Sequence, residues 1–169
     1  GTEDLEIPID GGANGGDSRM VLAYLRAMAK RAGFGPDFLL VNCGLHDIKT
    51  DNATGEKQVP LAEYRANLEQ LIEIAEGIGT VLIWIRTTPV VDEIHNPRQK
   101  EFRRFAADLD AYNAAADAVM AAADIPDIDL HTFTCNLGPL ESLFCDHVHF
   151  TEPVREKQAA YIAGFMDGI

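Results

Sequence analysis

The chain has few cysteines, few basic residues and no long apolar run. Its three cysteines, Cys43, Cys135 and Cys145, are odd in number and widely spaced. They therefore provide neither a disulfide framework nor a zinc pattern, and they favour a reducing compartment such as the cytoplasm. The 14 basic residues against 27 acidic ones give a net charge of -13, which would repel phosphate backbones and anionic membranes. We expect no nucleic-acid partner and no membrane span.

Short β-branched runs alternate with helix-like segments along the 169 residues, of which 47% are apolar. The predicted strands are Leu5–Ile9, Phe38–Asn42, Thr80–Thr87 and Ile125–Leu130. The predicted helices run from Ser18, as N-cap, to about Arg31, from Leu61 to Ala75, from Gln99 to Ala123, and from Glu152 to Met166. This order predicts a single α/β domain with a mainly parallel sheet covered by helices on both faces.

α/β proteins bind their ligands outside the carboxyl ends of the strands, and three loops of this chain can converge on one such cleft. They are Gly11–Ser18, Cys43–Asp47 and Asp146–His149. The first ends at a helix start, where backbone N–H groups can face a developing negative charge. We expect the polar segments Lys49–Gln58 and Val91–Lys100 to form loops that contact the substrate.

The Asp146–His149 loop carries the most informative spacing in the chain. An Asp three residues before a His can hold one ring nitrogen of the imidazole, while the other ring nitrogen takes a proton from a nucleophile. This pattern makes a hydrolase the leading hypothesis.

Three motifs resemble a known family. Cys43–Ile48 is similar to a block usually written Gly-x-Asn-Asp, Asp146–His149 to an Asp-x-x-His block, and Gly16–Ser18 to the glycine block between the nucleophile and the Gly-x-Asn-Asp block. The chain thereby resembles the SGNH hydrolases, also called GDSL-type esterases and lipases, over nearly its whole length.

The resemblance implies a flavodoxin-like three-layer α/β/α fold and a serine esterase that needs no cofactor or metal and acts on a small-molecule ester. It implies that His149 is the general base and Asp146 its orienting partner. Gly16 would donate its backbone N–H to the oxyanion hole. The second donor would come from position 46, 30 residues later, where His46 replaces the usual asparagine; a neutral imidazole N–H can supply that hydrogen bond.

The strand that ends in the nucleophilic serine has no match at its expected place. Ser18 completes a Gly-Asp-Ser tripeptide, but only 25 residues separate it from Gly44, too few for the intervening helix and strand of the family. The run Leu5–Ile9 alternates and contains proline, as an edge strand would. We therefore predict that residues 1–169 form one domain lacking its first strand and helix, and that a segment upstream of Gly1, docked on the domain, carries the serine. Ser18 is the alternative nucleophile.

Two other functional classes stay open. A metal-dependent hydrolase could use His46, Asp47, Asp146 and His149 as nitrogen and oxygen ligands, although neither His-x-x-x-His nor Cys-x-x-Cys occurs. A binding module could keep the cleft without the serine.

We assign no catalytic role to the remaining histidines. Alternation along an extended segment should point His147 away from the cleft that His149 faces. His95 and His131 have no partner in the sequence pattern, and we expect them to be structural or exposed.

Overall fold

A computed structural model describes residues 15–169; the predicted strand Leu5–Ile9 lies outside this part of the chain. Helices and strands alternate along the described residues. In chain order they are α1 (Ser18–Ala29), β1 (Phe38–Val41), β2 (Thr50–Asp51), α2 (Leu61–Gly77), β3 (Val81–Ile85), α3 (Asp92–His95), β4 (Phe102–Arg103), α4 (Ala106–Ala122), β5 (Asp127–Ile128), α5 (Leu130–Cys135), α6 (Leu140–Leu143) and α7 (Glu152–Met166).

The main sheet of the described residues is parallel, with strand order β1-β3-β5. Phe38 lies opposite Val81, and Trp84 lies between Val41 and Asp127 in the two registers. A separate antiparallel ladder joins β2 to β4. The prediction of an α/β fold with a mainly parallel sheet is confirmed.

The central strand β3 is apolar because both of its faces are covered. Leu82 and Trp84 belong to the large hydrophobic cluster that also contains residues of α1, α2 and α4. Ile83 points to the opposite face and is equally buried. A strand buried on both faces needs a continuous apolar run rather than an alternating one, which is why Val81–Ile85 could be identified from the sequence.

The last strand is shorter than the predicted Ile125–Leu130. Pro126 has no N–H for the ladder, although its carbonyl accepts from Trp84 N at 2.9 Å. Asp129 caps α5 by accepting a hydrogen bond from Thr132 N at 2.9 Å. The chain therefore leaves the sheet after two paired residues, and the predicted strand end at Leu130 is wrong.

The helix predicted from Gln99 begins only at Ala106. The backbone before it is extended because Phe102–Arg103 pairs with β2, and Phe105 keeps β-region dihedral angles. The side chain of Asp92 accepts from Ala106 N at 2.7 Å, which satisfies one of the unpaired donors at the start of α4. Long-range pairing thus overrides the local helical pattern.

The first helix is capped by Asp17 and not by Ser18. The Asp17 carboxylate accepts from Met20 N at 3.0 Å, while Ser18 is the first helical residue. The helix ends at Ala29, two residues before the predicted end. The predicted helices at Leu61 and Glu152 begin as expected, and no described helix is long and apolar enough to cross a membrane.

Candidate functional site

The C-terminal turn, defined as Cys145–Phe150, brings Asp146 and His149 together as the spacing predicts. His149 Nδ1 lies 2.7 Å from Asp146 Oδ2. The backbone N–H groups of Val148 and His149 both donate to Asp146 Oδ1, at 2.8 and 2.7 Å. One carboxylate therefore organises the whole turn, and both side chains stay partly accessible, at 33% for Asp146 and 18% for His149.

These contacts keep Asp146 ionised and determine which ring nitrogen of His149 faces it as a donor. Burial would raise the pKa of Asp146, but the two backbone N–H groups and the imidazole outweigh it and hold that pKa well below its usual range. An ionised carboxylate only accepts hydrogen bonds, so His149 must carry its hydrogen on Nδ1. The basic nitrogen of the ring is then Nε2, which is the tautomer a general base requires.

The α1 loop, defined as Gly15–Asp17, places a glycine just before helix α1. Gly16 has φ +70°, and a Cβ there would lie 2.5 Å from Met20 Sδ. The positive φ disfavours any other residue here, and an added Cβ would also require the exposed Met20 side chain to move. The position predicted to supply a backbone donor is therefore one where the local backbone conformation favours glycine.

The β1 loop, defined as Cys43–Ile48, is held against the end of β3. The carbonyl of Cys43 accepts hydrogen bonds from Tyr64 Oη and Thr87 Oγ1, both at 3.0 Å. Gly44 has φ +144°, and a Cβ there would lie 2.7 Å from Thr87 Oγ1. His46 follows in this anchored loop and is half-buried.

A buried carboxylate joins the β1 loop to the start of α1. Asp47 has no accessible surface, and its two carboxylate oxygens lie 2.9 and 3.1 Å from Ser18 N. Ser18 Oγ in turn accepts from Asn67 Nδ2 at 2.9 Å. The loop that contains Gly16 and the loop that contains His46 are thereby held together, although Ser18 and Asp47 are 29 residues apart.

The surroundings of Asp47 make it a weaker acid than an ordinary aspartate. Burial, together with the neighbouring charge of Asp17, raises the pKa of Asp47 to about 6, and the hydrogen bonds from Ser18 offset this effect only in part. Asp47 is thus a packed structural carboxyl, in contrast to the ionised Asp146.

Comparison with known proteins identifies the chain. The sequence model of the GDSL-like lipase/acylhydrolase family matches residues 6–154. The chain belongs to this family. It is an ester-hydrolysing enzyme, as its sequence motifs predict. A separate comparison with curated proteins found no match.

Solved structures of similar fold agree with this family. The lipase/acylhydrolase from Enterococcus faecalis superposes with a TM-score of 0.73 at 21% identity, covering 91% of this chain and 72% of that one. A GDSL-like lipase from Bacteroides thetaiotaomicron gives 0.71 at 18% identity, covering 92% and 73%. The acetylxylan esterase Axe2 from Geobacillus stearothermophilus gives 0.67 at 18% identity, covering 92% and 73%. The flavodoxin-like three-layer α/β/α fold of the SGNH hydrolases is confirmed.

Both serines of this GDSL-family chain make hydrogen bonds with groups other than His149. The chain contains only Ser18 and Ser142. Ser18 has no accessible surface and its Oγ accepts from Asn67. Ser142 Oγ donates to the carbonyl of Pro139 at 2.7 Å. An ester could not reach Ser18 without disrupting the start of α1.

The remaining histidines behave differently from one another. His147 and His149 contact different partners. The Nδ1 atom of His147 lies 2.9 Å from Nδ1 of His95, and His95 is fully buried. His131 is half-buried and its Nδ1 lies 3.9 Å from Cys135 Sγ. The pairing of His95 with His147 could not be found from the sequence, because 52 residues separate the two.

The described residues contain no group of three or more His, Cys, Asp or Glu side chains arranged to hold a metal ion. The carboxylate of Asp47 is directed at Ser18 N and that of Asp146 at His149. The four proposed ligands His46, Asp47, Asp146 and His149 therefore do not present their donor atoms to one point, and the geometry gives the metal-dependent alternative no support.

Proposed function

We propose that this enzyme is a serine esterase of the SGNH type, in which His149 is the general base and Asp146 orients it. Gly16, through its backbone N–H, and His46, through its imidazole, stabilise the oxyanion. The observation that carries the proposal is the 2.7 Å contact between His149 Nδ1 and the ionised Asp146 carboxylate. This contact directs Nε2 of the same ring to the proton transfer.

The reaction is acyl transfer to water. A serine Oγ attacks the carbonyl carbon of a small-molecule ester while its proton passes to His149 Nε2, and Asp146 stabilises the imidazolium that forms. The carbonyl oxygen becomes an oxyanion that accepts hydrogen bonds from Gly16 and His46. The tetrahedral intermediate expels the alcohol, which takes the proton from His149, and an acyl-serine remains. Water then attacks the acyl carbon while its proton passes to His149, and the serine oxygen leaves with that proton as the acid is released.

We place the nucleophilic serine in a segment upstream of Gly1 that docks beside β1. The contacts of Ser18 and Ser142 leave no candidate within the described residues. The structural relatives are longer, and about a quarter of each one has no counterpart in this chain. A chain segment of that size is enough for a strand and a helix.

The edge of β1 offers a place for such a segment. Within the described residues β1 pairs only with β3, and no described strand lies along its other edge. A groove of about 550 Å³ runs between that edge and α1. Its lining is almost entirely apolar: Gly15, Met20, Val21, Tyr24, Leu25, Phe34, Leu39, Leu40, Val41, Asn42 and Leu71. A buried strand followed by an amphipathic helix would complete both the sheet and this apolar surface.

Fluorophosphonate labelling of the full-length protein, followed by peptide mapping, tests the proposal. We expect an adduct on a serine in a peptide upstream of Gly1, and loss of labelling in the His149→Ala variant. The His131→Gln variant is the matched control, because His131 contacts Cys135 and belongs to none of the three candidate loops. It should label like the parent protein.

Three outcomes would contradict the proposal. An adduct on Ser18 or Ser142 would place the nucleophile elsewhere. Loss of ester hydrolysis after a chelator, restored by added zinc or manganese, would favour the metal-dependent mechanism. The absence of both labelling and hydrolysis in intact full-length protein would favour a binding module.

A further inference from the structure

We propose that the segment Asp92–Ala106, here called the brace, positions the C-terminal turn relative to the β1 loop. The brace acts through two contacts, one near each end: His95 contacts His147, and Arg104 contacts the carbonyl of Leu45. It contributes no group to the reaction itself. This inference rests on the proposed function, because it concerns the alignment of His149 with His46.

The first end of the brace is His95, the last residue of α3. Its ring is fully buried, lies 4.8 Å from the His147 ring between centroids and meets it at 59°. The 2.9 Å separation of the two Nδ1 atoms requires one ring to donate and the other to accept. Each imidazole therefore restricts the tautomer and the orientation of the other.

Fixing His147 fixes the catalytic pair. His147 lies in the sequence between Asp146 and His149. The backbone N–H groups of Val148 and His149 donate hydrogen bonds to the Asp146 carboxylate. The turn is therefore one compact unit. It cannot rotate relative to α3 without breaking the contact between His147 and His95.

The middle of the brace is closed by Asn96. Its Nδ2 donates to the carbonyl of Arg104, and its Oδ1 accepts from Arg104 N, both at 2.9 Å. The carboxylate of Asp92 accepts from Ala106 N at 2.7 Å. These three hydrogen bonds join the two ends of the 15-residue segment, which contains α3 and β4, into a closed loop.

The second end is Arg104. Its side chain is fully buried, its Nε donates to the carbonyl of Leu45 at 2.7 Å, and its guanidinium lies 5.0 Å from the centroid of the Phe102 ring. Leu45 directly precedes His46. A continuous set of contacts thus runs from the C-terminal turn through the brace to the β1 loop, and it spans sequence separations of 52 and 59 residues.

Such a link matters because acyl transfer needs the base and the oxyanion donors aligned within roughly 0.5 Å. Misalignment affects the transition state more than the bound ester, so loosening the brace should lower kcat and leave KM almost unchanged. A role in folding alone would instead lower the number of active molecules without changing the kcat of each.

The test uses His147→Ala and His147→Asn in the full-length protein. Asparagine places an amide that can donate or accept close to the position of Nδ1, whereas alanine removes the contact. Fluorophosphonate titration of one aliquot counts the active sites, and hydrolysis of p-nitrophenyl acetate by an unlabelled aliquot then gives kcat per active site. We expect about a tenfold lower kcat for His147→Ala, an unchanged KM, and recovery to within about threefold of the parent value in His147→Asn.

A second variant, Asn96→Ala, opens the brace at its centre. We expect about a tenfold loss of kcat for this variant and for the double variant as well, because one break already releases the link. An unchanged kcat per active site in His147→Ala, or a hundredfold loss in the double variant, would overturn the role of the brace and leave the proposed function intact. No labelling of the parent protein would overturn both.

Discussion

Asp47 and Asp146 are chemically identical side chains in two loops, and their surroundings give them opposite properties. Asp146 is one third exposed and accepts from two backbone N–H groups and an imidazole. Asp47 has no accessible surface and contacts the start of α1. The pKa of Asp146 lies well below its usual range, whereas burial raises the pKa of Asp47 to about 6.

The difference shows how the number and kind of nearby donors decide the role of a carboxyl group. Where two backbone N–H groups and an imidazole converge on Asp146, they outweigh the cost of desolvation and keep the charge. Where burial dominates, as at Asp47, the neutral form becomes accessible and the group serves mainly to hold two loops together. We therefore assign chemistry to the C-terminal turn and positioning to the contact between Asp47 and Ser18.

The sharpest way to break this comparison is to remove the base from the C-terminal turn. His149→Ala should lower kcat by at least about ten-thousandfold, because it removes the group that we propose accepts the proton of the nucleophile. The free energy of unfolding should change little, since His149 is partly exposed. Hydrolysis of p-nitrophenyl acetate and urea denaturation measure the two quantities; retention of most activity would contradict the role of His149.

The next change tests whether the charge of Asp146 is what matters. Asp146→Asn keeps the shape of the side chain but removes the anion that stabilises the imidazolium and fixes the Nδ1 tautomer. We expect kcat to fall roughly a thousand- to ten-thousandfold. Asp47→Asn, measured in parallel, should keep kcat within about tenfold because it keeps an acceptor for Ser18 N. Equal losses in the two variants would remove the distinction between the loops.

The oxyanion donor in the β1 loop should matter less than the base. His46→Ala removes one donor, and a single oxyanion donor contributes about 3 to 4 kcal/mol, or a few hundredfold in kcat. His46→Asn introduces the residue that is usual in the family and should recover most of that loss. If alanine were as active as histidine, position 46 would not contact the oxyanion.

The smallest effect concerns stability and pH at Asp47. Because its folded-state pKa is raised above the ordinary value of 3.8, the folded protein binds the proton more tightly than the unfolded chain does. The stability contributed by Asp47 is therefore present below pH 4 and is lost as the pH rises to about 6, by up to about 3 kcal/mol.

The stability contributed by Asp146 depends on pH in the opposite direction and over a lower pH range. Because the folded-state pKa of Asp146 is lowered, the ionised carboxylate contributes stability above pH 3.8, the ordinary pKa, and this contribution is lost as the pH falls below that value.

Urea unfolding of the parent protein and of Asp47→Asn at pH 4, 5, 6 and 7 gives the contribution of Asp47 to the free energy of unfolding as the difference between the two proteins. A difference that stays constant over this range would show that Asp47 does not titrate there.

Much of the fold followed from local patterns. The apolar runs at Phe38 and Val81 are strands, and the periodic segments at Leu61 and Glu152 are helices, because period and length distinguish the two without knowledge of their partners. The predictions that were wrong lie where distant contacts decide the backbone. The extended pair Phe102–Arg103 is held by β2, and the cap of α1 is Asp17 although Ser18 was an equally acceptable residue for it.

By itself the sequence determined the alternation of strands and helices and the contact between Asp146 and His149, since three residues are few enough for one turn to join them. Only the tertiary structure decided the contacts of Asp47 with Ser18, of His95 with His147 and of Arg104 with Leu45, which span 29, 52 and 59 residues. It also decided which aspartate keeps its charge. The physical reason is that desolvation and long-range hydrogen bonds depend on the loops that the sheet brings to one edge, and residue type and spacing contain no record of them.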